Sequence, residues 1–187
     1  MYKIFGIVIG IMLKLSVSLY TIPIISLRTG GHIGLAERPI INPNNLKIEG
    51  WFANNVFGNG IHILPSSEIR EISRIGVAVN DQEAITLPDD LVRMQKVLKI
   101  DFQLIGKSVV TESKKHLGKV QDYATDLDSF YIQRLYVSPR FVKAITRDQL
   151  IVSREQILEI TDKKIIVKDI EATKRAFFTA PVQVPEG

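Results

Sequence analysis

The chain has 187 residues, 45% of them apolar, with 24 Lys/Arg against 20 Asp/Glu and a net charge of +4. That is enough for one domain or two small ones with a buried core. The absence of cysteine excludes disulfides, zinc–thiolate sites and thiol catalysis. The basic surplus is spread along the chain, 10 Lys/Arg against 8 Asp/Glu in residues 1–100 and 14 against 11 in residues 101–175. Nucleic-acid binders concentrate such charge in a stripe, so a mixed soluble surface is the plainer reading.

Ile4 to Leu13 is an apolar run between Lys3 and Lys14, too short to span a bilayer but as long as the apolar part of a signal peptide. Three readings stay open for residues 1–14: a start at Met12 with upstream residues before it, a membrane anchor or signal, or a structured strand. Leu15 to Leu27 reads as β-structure broken at Pro23, because proline gives no hydrogen bond to a ladder. Thr29-Gly30-Gly31 is a turn. Ile33 to Ile41 is strand-like with Pro39 as an interruption, and Asn42 to Asn45 turns. Leu46 to Phe52 alternates, with Leu46, Ile48, Gly50 and Phe52 on one face and Lys47, Glu49 and Trp51 on the other. Asn54 to Asn59 is a loop, Ile61 to Leu64 a strand, Ser66 to Arg70 a helical turn and Ile75 to Val79 a strand.

Pro88 suits a first helical position, and Asp89 and Asp90 complement the positive end of a helix. Leu91, Met94 and Leu98 recur at helical spacing, which predicts a helix from Pro88 to Leu98 that packs one half against the other. Strand character returns at Phe102 to Val110, Lys119 to Thr125, Phe130 to Val137, Leu150 to Val152, Ile157 to Ile160 and Ile165 to Val167. Ser153 and Gln156 have capping-box spacing. Ser138 to Gln149 is a longer excursion, and residues 172–187 form a tail.

Sliding the chain on itself by 84 brings His32 onto His116, Gly34 onto Gly118, Asn42 onto Asp126, Leu46 onto Phe130 and Ile48 onto Ile132. From Ile69 onward the shift is 88, bringing Ile69 onto Ile157, Val79 onto Val167 and Asp81 onto Asp169. The difference is an insertion between Val137 and Leu150. Matched polarity at unmatched identity predicts two copies of one small β-unit, each closing its sheet over its own apolar interior.

The stretches LIGKSVVTESKKHLGKVQDY (104–123), DLDSFYIQRLYV (126–137) and SREQILEITDKKIIVKD (153–169) resemble the PRC-barrel family. This is the small barrel of the photosynthetic reaction-centre H subunit and of the C-terminal part of the ribosome maturation factor RimM. A fainter copy is carried by residues 29–40 and 64–72, with Pro39 inside a strand and Pro65 in place of Ser153. The resemblance implies a mainly β chain of two tandem PRC-type barrels joined by a short helix. The expected parts are an apolar segment (1–14), a first, degenerate barrel (15–84), a linker helix (85–100), a second barrel (101–171) and the tail (172–187).

No catalytic constellation is evident, and no cofactor or metal is expected. His32, His62 and His116 lack a nameable orienting partner, so they read as structural or solvent-exposed turn residues. Gly34 and Gly118 read as turn glycines, since no glycine-rich run or following helix makes a phosphate loop. Asp122, Asp126 and Asp128 read as turn chemistry, lacking the glycine and closing glutamate of a calcium loop. Trp51 reads as a barrel or interface residue. The excursion carries Arg140, Phe141, Lys143 and Arg147, cations beside an aromatic that suit an acidic partner or RNA.

The resemblance implies an interaction module with no reaction of its own: an adaptor that recognises a protein through strand edges or the 138–149 excursion. The alternative is an RNA- or ribosome-associated factor. A homodimer is a further expectation. The location expected is cytoplasmic, with membrane association only if residues 1–14 are a genuine anchor.

Overall fold

The computed structural model describes residues 13–55, 58–138 and 149–169. In chain order the strands are β1 (Leu13–Leu15), β2 (Ile22–Ser26), β3 (His32–Asn42), β4 (Lys47–Asn55), β5 (Gly58–Pro65), β6 (Ile69–Ile72) and β7 (Val77–Val79). Helix α1 (Gln95–Ile100) follows, then β8 (Ser108–Thr111), β9 (His116–Asp126), β10 (Ile132–Ser138), β11 (Leu150–Ser153), β12 (Ile157–Ile160) and β13 (Lys164–Val167). The architecture is mainly β, as two curled half-barrel sheets.

The first sheet runs β5-β4-β3-β2-β7-β6 and the second β11-β10-β9-β8-β13-β12. The orders correspond strand for strand, down to one parallel pair in each, β2 with β7 and β8 with β13. Connections correspond too. Leu27 N–H donates to the Val79 carbonyl at 2.8 Å, and Glu112 N–H to the Val167 carbonyl at 2.9 Å. Gly30 and Lys114 take left-handed φ of 71° and 67° in equivalent turns.

The predicted alternation along β4 and β10 slips once in each. Ile41 faces Ile48 while Ile40 faces Gly50, which leaves Glu49 as an extra residue. Thr125 faces Ile132 while Ala124 faces Arg134, which leaves Gln133 extra. A bulge moves every later side chain to the other face. Trp51 is therefore fully buried instead of sharing the face of Lys47 and Glu49, and Leu135 and Val137 are buried with Ile132.

Neither internal proline breaks its strand. Pro23 lies in β2 opposite Leu35, and the parallel pairing with β7 begins only at Ile24, so its missing N–H falls beyond that ladder. Pro39 pairs with Trp51 on β4 where β3 has run past the end of β2. Both occupy edge-like places where no donor is needed. The stretch Phe102 to Val110 is strand only from Ser108.

The predicted helix is a 3-10 turn at Pro88–Asp90 followed by α1. Its stripe does not lie between the halves. Val97 joins Ile40 and Ile63 in a small apolar cluster with Leu91, Met94 and Leu98, so the segment covers the outer side of the first sheet.

The expectation of two separate interiors is also corrected. Buried apolar side chains from both sheets form one cluster, from Leu19 and Trp51 to Leu135 and Val167. The Trp51 and Phe130 rings meet edge to face, centroids 5.8 Å apart. β1 crosses over to pair with β9, Leu13 opposite Asp126 and Leu15 opposite Ala124. A sheet of this size has a small apolar core, and sharing one core buries more of each.

Candidate functional site

The surface proposed from sequence, Arg140, Phe141, Lys143 and Arg147, lies outside the described residues, as do the segment 1–12 and the tail from residue 170. The described residues place a different feature where the two sheets meet. A cleft of about 280 Å³ opens between the turn before β4 and strand β12. One wall is Pro43, Asn45 and Leu46; the other is Arg154, Leu158 and Glu159.

Each wall follows from local sequence. Asn42 accepts the Asn44 N–H at 3.0 Å, Asn45 accepts the Lys47 N–H at 2.9 Å, and Leu46 N–H closes the turn on the Asn42 carbonyl at 2.9 Å. Asparagine favours such turns because its side chain bonds backbone two residues on. On the other side, Ser153 donates its N–H and its Oγ to Gln156 Oε1 at 2.8 and 2.9 Å. This capping pair, legible in the sequence, turns the chain sharply between β11 and β12. It leaves Arg154 with its guanidinium 4.6 Å from the centre of the Tyr131 ring. One of its nitrogens donates to the Ile132 carbonyl at 3.4 Å, and most of its five donors have no partner among the described residues.

β12 ends the second sheet. Among the described residues no strand pairs with its far side, and Leu158 is 48% exposed there. An unpaired strand edge is a template for another chain. At the corresponding place on the opposite side, Leu127 stands where the first turn has Pro43. Leu127 packs against the shared core.

The other polar candidates have structural work. His32 and His116 are exposed at the starts of β3 and β9, and His62 is buried with Nδ1 3.1 Å from the Gly60 carbonyl. Gly34 and Gly118 stand inside strands rather than in turns. A Cβ at Gly34 would collide with the Asn54 carbonyl, and Gly118 has φ of 145° beside a bulge. Asp126 accepts from Asp128 N–H and Ser129 Oγ within its own turn, as expected. Asp122 does something sequence did not suggest: its Oδ1 accepts both the N–H and the Oγ of Ser16, 106 positions away. It thereby caps the 3-10 turn at Ser16–Leu19, whose last carbonyl accepts Trp51 Nε1 at 2.9 Å. Among the described residues no three His, Asp or Glu gather to hold a metal ion, and no helix there is long and apolar enough to cross a membrane.

Among the described residues two groups are electrostatically perturbed. Burial pushes the Tyr123 phenol up, the neighbouring Tyr20 hydroxyl adds to it, and at ordinary hydrogen-bond distance the Tyr123 hydroxyl has no partner among the described residues. The Ser113 hydroxyl, 2.7 Å from Asp169, holds that carboxyl below the usual range.

Residues 101–174 match the profile of the PRC-barrel domain. Over that stretch the chain is similar to a PRC-barrel domain. Strands β8 to β13 all fall inside that match, and with them Arg154 and β12, while β1 and the Pro43 to Leu46 wall lie outside it. No curated protein matches the chain.

Proposed function

We propose that the chain is a non-enzymatic adaptor built from two PRC-type barrels, residues 15–84 and 101–171, joined through residues 85–100. It binds an extended stretch of a protein partner along the open side of β12. The equivalence of the two strand orders supports the tandem reading. The observation that carries the binding reading is the coincidence of three features in one cleft: a strand edge unpaired among the described residues, an exposed Leu158, and an Arg154 guanidinium with most of its donors unpaired among those residues. Strand addition takes affinity from main-chain hydrogen bonds and specificity from alternate side chains. Leu158 offers apolar contact, and Arg154 receives a carboxylate or carbonyl of the incoming segment.

A photo-crosslinking residue at position 158, introduced in cells, tests this. The expected result is a crosslink to one short segment of a partner, lost on Arg154→Ala and absent with the crosslinker at position 17, where Val17 is 75% exposed. Capture that survives Arg154→Ala, or that occurs equally at position 17, contradicts it. Retention of the purified protein on RNA that falls steeply with log salt would favour the ribosome-associated reading instead.

A further inference from the structure

The contacts between the halves are reciprocal. Ile48 N–H donates to the Phe130 carbonyl at 2.9 Å, and Ile132 N–H donates to the Leu46 carbonyl at 2.9 Å. Leu46 and Ile48 hold the places in the first sheet that Phe130 and Ile132 hold in the second, so each bond is the image of the other under a half-turn. The antiparallel bridge between Lys47 and Tyr131 lies on that axis. Leu46 and Phe130 both have left-handed φ, 51° and 60°. This is costly for such side chains, and in each half the strain turns the carbonyl toward the other.

The leading arms cross in the same reciprocal sense, β1 as a strand on β9 and α1 as a helix beside β3. Ser16, ahead of β2, is held by Asp122 on β9, and Asp101, ahead of β8, is held by Arg38 on β3 at 2.8 Å. Asp122 and Arg38 are equivalent positions. Thr21 and Gly106, with φ of 54° and 87°, then lead each arm into its own sheet. Contacts in which one surface meets its own image define an isologous two-fold interface.

We infer that the chain is a dimer fused into one polypeptide. The face around Lys47 and Tyr131 is self-complementary, the partner it fits is a second copy of the same barrel, and fusion fills it from within. The two-barrel chain therefore has no such face left for another molecule. The inference does not depend on what the β12 cleft binds.

The cysteine-free chain allows a direct test. Positions 47 and 131 form a non-hydrogen-bonded antiparallel pair, whose Cα atoms lie about 4.5 Å apart, within disulfide range. The full-length Lys47→Cys/Tyr131→Cys protein is expected to oxidise completely within one chain, stay monomeric and unfold at higher urea. Each single variant is expected to remain a monomeric thiol. Free thiols or disulfide-linked dimers in the double variant overturn the inference, as do disulfide dimers of Lys47→Cys alone. A second readout needs no cysteine. Full-length protein cut at an engineered protease site between Val92 and Arg93, where Val92 is 80% exposed, is expected to co-elute as a one-to-one pair. Separation without denaturant overturns the inference.

Discussion

Ile165→Ala offers a sharp test of the shared core. Ile165 lies on β13, pairs with Val109 on β8 and is fully buried in the cluster that also holds Trp51. Truncating a buried isoleucine to alanine costs 2–5 kcal/mol; full burial in the shared core puts this one at about 3 kcal/mol. With a urea m-value of about 2 kcal/mol per M, the midpoint falls by about 1.5 M, and the melting temperature by roughly 6–12 °C. The chain has a single tryptophan, and it lies in the other sheet. Its fluorescence thus reports the first half while the mutation strikes the second. If the halves unfold as one, Trp51 emission and far-UV circular dichroism move together by that amount. A Trp51 transition left at the wild-type midpoint, with a split dichroism curve, would refute the argument that one core serves both sheets.

Four further outcomes are expected. Tyr123→Phe removes a buried hydroxyl that has no partner at ordinary hydrogen-bond distance among the described residues, though the Tyr20 hydroxyl stands nearby, and stabilises the protein by about 1 kcal/mol in urea unfolding. Asp122→Ala strips the cap from Ser16 and costs about 2 kcal/mol, with loss of hydrogen-exchange protection expected at residues 13–19. Gly50→Ala sets a Cβ 2.6 Å from the Leu64 carbonyl and lowers stability by roughly 2 kcal/mol or more, read by thermal unfolding. Asp169 has a folded pKa below its unfolded one. Its contribution is therefore present above the unfolded pKa of about 3.9 and lost as pH falls through the lower folded value. Asp169→Asn should flatten that part of the acid stability curve, measured by urea unfolding between pH 5 and pH 2.

Local chemistry was legible in the sequence where residues answer to near neighbours. The turns at Asn42–Asn45 and Asp126–Ser129 stand as read, as does the Ser153–Gln156 pair. The correspondence of the two strand orders had its counterpart in the matched polarity at shifts of 84 and 88. What escaped were features decided at a distance. A bulge at Glu49 or Gln133 leaves no mark in a two-residue alternation, since both patterns are amphipathic until one slips. The crossing of β1 to β9 depends on Asp122, which sequence alone groups with Asp126 and Asp128. The apolar stripe of Leu91, Met94 and Leu98 does bury itself, but nothing in its period says against which surface. The cleft was hidden for the same reason, because its walls come from opposite halves.

Pro43 opposite Leu127 carries a wider implication. In an assembly of two identical chains, every substitution lands twice, so a recess opened on one side opens on both. Joining the copies end to end releases them from that constraint. Leu127 packs against the shared core where, at the matching position of the first half, Pro43 lines the cleft, and Arg154 stands where the first half has Ser66. On the proposed reading, such a scaffold has a single address and a direction, so that one guest would be held in one orientation.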